Sequence, residues 1–247
     1  MIYSEKVLAT LWRGDSVPDN LEVLYVPREG FFPTSYTLVK DGKRHRRSTK
    51  LFNCWTNLTQ RCLKGSQQQE RIKSYVGCVN KFKDYQDFAE FCYELPFFTH
   101  KDQEGKPYEI DKDVKGFLTK HGGVYSKETL CMLPKDINCF LTCVQLHGGK
   151  DTRSTKGVIQ EHGGNFSVRT QDVCGDKSRK VMFRCNTYQE AYSKLKELKN
   201  QQASFLAEKY KETIEPCVYD FLKGFDLDVW EKWTYEKRGL RKGEVNV

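Results

Sequence analysis

The stretch from Tyr108 to Asn138 constrains the fold more than any other part of the chain. It opens with a short strand-like run that ends in a charged cluster, Asp111-Lys112-Asp113. A loop containing Lys120-His-Gly-Gly123 follows, then a second apolar run from Leu130 to Leu133. Pro134 predicts a helix start, since a first helical turn loses nothing by proline's missing N–H, and Asn138 falls one turn into that helix. Strand, loop, strand, helix sets the end of the first strand beside the first turn of the helix. In that arrangement Asp111 faces Asn138, and two hard oxygen ligands suit Mg²⁺, Mn²⁺ or another hard divalent ion. The alternative for the same residues is a solvated charge cluster at a strand end and a surface asparagine on a helix. His121, between Lys120 and two glycines, is either an exposed loop residue or a base supplied from the loop.

The ordered run Tyr125-Ser-Lys-Glu-Thr-Leu-Cys-Met-Leu-Pro-Lys-Asp-Ile-Asn138, behind an Asp-Lys-Asp strand end, resembles the ββα-metal core of the HNH nucleases, in the version common among phage homing endonucleases. The pattern Trp55-x-x-Leu58-x-x-Arg61-Cys62 and the aromatic helix after it are similar to the segment before that core. The resemblance therefore covers about Leu51 to Thr142. It implies a nuclease fold and hydrolysis of DNA with one divalent ion held by Asp111 and Asn138. It sets Lys112 at the place of the histidine that activates water, and Thr129 at the place of the asparagine that braces the loop. A lysine there suits a phosphate clamp better than a base, and Asp113 or His121 is then the alternative base.

Composition bears on the partner and the compartment. The 247 residues carry a net charge of +8, with a pI near 8.9, which makes a polyanion the first partner to consider. Ten cysteines include no Cys-x-x-Cys, so paired zinc-ligand spacing is missing; only Cys139 and Cys143 stand at helical i, i+4 spacing. The start, Met1-Ile-Tyr-Ser-Glu-Lys, has neither a basic region nor an apolar run, and no stretch is long enough to span a membrane. The expectation is a cytoplasmic protein with reduced cysteines, in the host cytoplasm if phage-encoded, and without a membrane partner.

Along the chain, residues 1–50 read as a lead-in and basic arm. Leu21 to Val26 is strand-like, and Lys40 to Lys50 is a basic run without apolar periodicity. That run is either a solvated linker or a flexible arm whose Arg44, Arg46 and Arg47 neutralise phosphates. The nuclease domain is placed at 51–145. Leu51, Trp55, Leu58 and Cys62 predict a helix to Leu63, and Asp84 caps a second helix with Tyr85, Phe88, Ala89, Cys92 and Leu95 on one face.

A polar linker at 146–155 leads to a second domain at 156–235, followed by a charged, frayed tail at 236–247. Three short strands are predicted, Lys156 to Gln160, Asn165 to Thr170 and Lys180 to Cys185, with a hairpin turn at His162-Gly-Gly-Asn165. Thr187 and Glu190 form a capping box that opens a long helix carrying Ala191, Tyr192, Leu195, Leu198 and Leu206 on one face. Alternation puts Phe166 and Val168 on the helix side and Ser167 and Arg169 outward, with Arg153, Lys156, Lys180 and Arg184 joining them. The segment from Lys156 to Ala191 resembles the DNA-binding domain of the plant ethylene-response factors, which implies that these outward residues contact double-stranded DNA. A basic sheet face without a partner is the alternative.

The expected whole is an α+β protein of two modules: a ββα-metal nuclease core, and a three-stranded antiparallel sheet packed on a long helix. Its expected function is site-specific DNA cleavage with Mg²⁺ or Mn²⁺. A DNA-binding protein with a degenerate nuclease site, or a phage factor that binds a host protein, are the other readings.

Overall fold

A computed structural model describes residues 31–40, 42–71, 75–143, 157–171 and 180–237. The strand-like run from Leu21 to Val26, the linker at 146–155, Arg153, Lys156 and the last ten residues of the tail lie outside the described residues. The chain is α+β and divides into two units, Met1–Lys135 and Asp136–Val247. The break comes one helix earlier than the sequence boundary at 145, because the helix carrying Asn138 packs within the second unit.

The first unit begins with an antiparallel hairpin, β1 (Ser35–Lys40) and β2 (Lys43–Ser48). Gly42, at a φ of 71°, sits in the turn, a backbone conformation that glycine adopts without steric cost. The run read as a linker or flexible arm is therefore an ordered strand, and all six residues of β2 are exposed. With neither face buried, hydrophobic alternation has nothing to report, which is why the sequence shows no period there.

The lead-in is also part of the first unit's core. Phe32 is buried, and its backbone N–H and C=O are both held by the side-chain amide of Gln86, at 2.7 and 3.0 Å. The Pro33 carbonyl accepts hydrogen bonds from the hydroxyls of Thr49 (3.1 Å) and Tyr85 (3.0 Å). Thr49 in turn caps helix α1 (Lys50–Cys62) by accepting the amide of Phe52.

After the short helix α2 (Gln67–Arg71), strand β3 (Val79–Asn80) leads into α3 (Tyr85–Glu94), which Asp84 caps as predicted by accepting the amide of Asp87. Helices α1 and α3 share an aromatic core. Trp55 and Phe82 pack on the fully buried Phe88 at 5.4 and 5.3 Å between ring centres, and Phe52 meets Tyr85 edge-on at 5.1 Å. Each such fully buried side chain stabilises the unit by about 1.5–3 kcal/mol relative to exposure.

Strand β4 (Glu109–Asp111) and strand β6 (Cys131–Leu133) then pair antiparallel, Glu109 opposite Leu133 and Asp111 opposite Cys131. The segment between them was expected to be a loop. It contains a short helix, α4 (Asp113–Leu118), and strand β5 (Val124–Tyr125), which pairs parallel with β3. Pro134 follows β6 and leads into α5 (Lys135–Cys143), as its place in the sequence predicts.

In the second unit, the predicted sheet forms in the order β7 (Val158–Gln160), β8 (Phe166–Gln171), β9 (Lys180–Cys185), antiparallel throughout. The long helix α6 (Tyr188–Tyr210) opens on the Thr187–Glu190 capping box, with both reciprocal hydrogen bonds present. Val168, Ala191, Leu195 and Leu206 are buried as their spacing predicts, whereas Tyr192 is only half-buried. Helices α7 (Pro216–Lys223) and α8 (Leu227–Lys237) complete the unit; Trp230 is buried, and Trp233 lies 4.9 Å from it between ring centres. Glu236, assigned to a frayed tail, is still helical. Helix α5 joins this unit through Asp136, which accepts hydrogen bonds from Lys209 Nζ and Tyr210 Oη, both at 2.8 Å. No helix among the described residues is long and apolar enough to cross a membrane.

Candidate functional site

The end of β4 gathers three of the residues singled out by sequence. Asp111 is nearly buried, and its Oδ1 accepts the amides of Asp113 (2.8 Å) and Val114 (3.2 Å). This oxygen thereby satisfies two otherwise unpaired amides of the first turn of α4, the work of an N-terminal cap. Among the described residues no hydrogen bond reaches Asp111 Oδ2. Lys112, 7% exposed, turns its Nζ to Asp113 Oδ1 at 2.7 Å and lies 4.9 Å above the ring centre of Tyr125. So Asp113 is the first residue of a helix rather than the last of a strand, and an ion pair occupies one of its oxygens.

A second cation extends the cluster. Arg61, at the end of α1, donates a long hydrogen bond from Nη1 to Tyr125 Oη (3.4 Å) and stacks over Tyr75 at 4.8 Å. From Lys112 the order Tyr125, Arg61, Tyr75 alternates aromatic rings with a cation, and Lys112 and Arg61 each lie over the electron-rich face of a ring. Sequence reading missed Arg61 and Tyr125, which stand 64 positions apart. Arg61 carried a signal only as part of the Trp-x-x-Leu-x-x-Arg-Cys pattern.

Electrostatics at the strand end follow from burial. Burial, and then the like charge of Asp113, hold the Asp111 carboxyl above its ordinary range. Burial alone would lower the Lys112 ammonium, but Asp113, Tyr125 and Asp111 outweigh it and raise its pKa. Lys112 is thereby favoured as a cation, and a cationic lysine has no lone pair with which to deprotonate water. Burial likewise keeps the Tyr125 phenol above its usual value, with Lys112 and Arg61 opposing, and pushes the Cys62 thiol up to about 12.

Thr129 stands in the turn between β5 and β6. Fully buried, it donates from Oγ1 to the Val124 carbonyl (2.7 Å) and accepts the amide of Ser126 (3.0 Å), which ties together the turn between β5 and β6. His121 is exposed on the loop after α4; its backbone N–H donates to the Gly116 carbonyl at 2.9 Å, and among the described residues its ring makes no hydrogen bond. Asn138 is half-buried on α5 in the second unit, and its carbonyl accepts the Thr142 hydroxyl at 2.9 Å. Among the described residues no group of three or more His, Cys, Asp or Glu is placed to hold a metal.

The second candidate surface is the open face of the β7–β8–β9 sheet. Arg184 is exposed and pairs across the sheet with Ser167. Ser167 was expected to point outward to DNA, and this is corrected: it is fully buried, with its hydroxyl donated to Glu161 Oε1 at 2.6 Å. The backbones of Arg169 and Lys180 pair with Met182 and Gln171, while their side chains lie outside what the structure describes. Arg44, Arg46 and Arg47 are exposed on β2, in the first unit.

Compared with models of protein families, with curated proteins and with solved structures, the chain gives no match.

Proposed function

We propose that this chain is a DNA endonuclease of the HNH type that uses one divalent ion, Mg²⁺ or Mn²⁺. The observation that supports it is the strand end of β4, where two near-buried carboxyl groups, Asp111 and Asp113, lie beside Lys112, which pairs with Asp113. Asp111 ends a strand paired antiparallel with β6, and the chain runs from β6 through Pro134 into the helix of Asn138. That order supports the reading of a ββα-metal core, with α4 and β5 inserted in its loop.

The residues fit a hard cation: Asp111 has one oxygen committed to α4 and the other without a protein hydrogen bond among the described residues. Asp111 would hold the ion, which when bound would supply charge stabilisation at the phosphate and the leaving oxygen. Capping α4 fixes the orientation of the Asp111 carboxylate before any substrate arrives. Lys112 fixes Asp113 in the same way. With Lys112 cationic, the proton of the attacking water goes to Asp113 or to His121. The exposed Arg184 supplies charge of the kind expected on a duplex-binding sheet face.

The second reading, a DNA-binding protein with a degenerate site, is favoured by one fact: the position of the family's base holds a lysine consumed by its neighbour. Incubation with supercoiled plasmid in Mg²⁺, Mn²⁺ or EDTA separates the two. Metal-dependent nicking lost in Asp111→Ala and Asn138→Ala is the expected result. Tight DNA binding with no cleavage under any metal overturns the nuclease reading in favour of the second.

A further inference from the structure

The β1–β2 hairpin carries an interaction surface of its own. Four of the six residues of β2, Lys43, Arg44, Arg46 and Arg47, are basic, His45 lies between them, and every one is exposed. Successive side chains of a strand point to opposite faces. Lys43, His45 and Arg47 therefore occupy one face of the ribbon, and Arg44 and Arg46 the other. Among the described residues none of these four cations enters an ion pair; the one side-chain bond is from Arg46 Nε to Ser35 Oγ at 3.1 Å.

We propose that β1–β2 is a ribbon that enters the major groove of duplex DNA, with its two faces turned to the two phosphate walls. The choice of DNA as the polyanion rests on the nuclease reading; the groove geometry does not. A strand lying on a flat acidic protein needs its cations on one side only. Cations on both sides fit a slot with negative charge on both walls, and the major groove of B-form DNA, about 12 Å wide, admits a two-stranded ribbon. The deep, narrow major groove of duplex RNA does not.

The base of the ribbon is tied to the first unit by hydrogen bonds. Thr34 and Thr49 close it with a backbone hydrogen bond of 3.0 Å, and Thr49 and Tyr85 pin the adjoining Pro33 carbonyl. An isolated hairpin is marginal in water, so this anchor sets the ribbon's direction before it meets its partner.

The test is binding of labelled duplex DNA in EDTA, followed by anisotropy across a salt series, for the whole chain and two variants. Arg44→Gln/Arg46→Gln clears one face; Lys43→Gln/Arg47→Gln clears the other. Both variants are expected to weaken binding about tenfold or more at ~0.1 M salt, and each to lower the log–log salt slope by about 2, one unit for every phosphate no longer neutralised. Thermal unfolding of each variant should match the parent, because every altered side chain is exposed.

Weaker binding in only one variant, or in neither, overturns the ribbon. So does failure of the parent to bind duplex DNA, or competition by duplex RNA or polyglutamate as effective as by DNA. Cleavage in Mg²⁺ is scored on the same samples. If the parent cleaves while both variants bind as it does, the ribbon fails and the nuclease reading stands. If binding depends on both faces but no metal gives cleavage, the ribbon stands and the nuclease reading fails.

Discussion

The Lys112 ammonium lies 2.7 Å from the Asp113 carboxylate, with side chains only 7% and 14% exposed. A pair so nearly removed from water is costly to break, since the partner left behind is an uncompensated buried charge. Lys112→Met leaves the Asp113 carboxylate without its cation, near the like charge of Asp111. The expected loss is about 3–5 kcal/mol in urea unfolding, and adding Asp113→Asn should recover part of it. A Lys112→Met protein as stable as its parent would mean that the pair is solvated in solution.

Thr49 does two jobs with one hydroxyl: it accepts the Phe52 amide to cap α1 and donates to the Pro33 carbonyl. Thr49→Ala removes both and should cost about 1–2 kcal/mol. Thr49→Ser keeps both and should stay within about 0.5 kcal/mol of the parent. Equal denaturation midpoints for the two variants would show that the hydroxyl holds neither the helix nor the hairpin base.

What could be read from sequence follows what burial imprints on it. Tyr85, Phe88, Ala89 and Cys92 face a core, so α3 and its Asp84 cap were legible; so were the three strands of the second unit and the Thr187–Glu190 box. Strand β2 was not, because a ribbon exposed on both faces has no apolar period. Its one local signal was the Asp41-Gly42 dipeptide between two runs, a favoured hairpin turn. Ser167 was misread for a related reason: alternation gave its face correctly, but nothing local shows that Glu161 covers it. At the site, Asp111, Lys112 and Asp113 were found together because they are adjacent in sequence. The link from Arg61 to Tyr125 exists only after folding.

Asp136 ties α5 to the long helix through Lys209 and Tyr210. Both charged side chains are about one-fifth exposed, so the pair is worth more than a surface ion pair. Asp136→Ala should destabilise the second unit by about 2–3 kcal/mol. The double variant with Lys209→Met should cost less than the sum of the two single changes. Strict additivity would show that the two side chains do not meet.

Tyr192 has one hydroxyl proton and two carboxylates in reach, Asp228 Oδ1 at 2.7 Å and Glu231 Oε2 at 2.9 Å. A phenol donates once, so one carboxylate lacks that bond when both are ionised. Lys196 settles which one. It pairs with Asp228 and, at 3.2 Å, with Asp226, and together with Tyr192 it keeps the Asp228 pKa low. Burial, with the Asp228 charge adding and the Tyr192 bond opposing, pushes Glu231 up to about 7. A carboxyl raised in the folded state binds its proton more tightly there than in the unfolded chain. Its contribution to stability is therefore full below the ordinary value of 4.5 and is lost as pH rises through about 7. Glu231→Gln keeps an acceptor for Tyr192 and cannot ionise. Relative to the parent, this variant should gain stability steadily from about pH 5 to pH 8. The gain should end on the order of 1–2 kcal/mol, reduced from the full shift because the site is partly open to solvent. Paired urea titrations across that range measure it, and a difference that stays flat with pH would mean that Glu231 is ionised throughout.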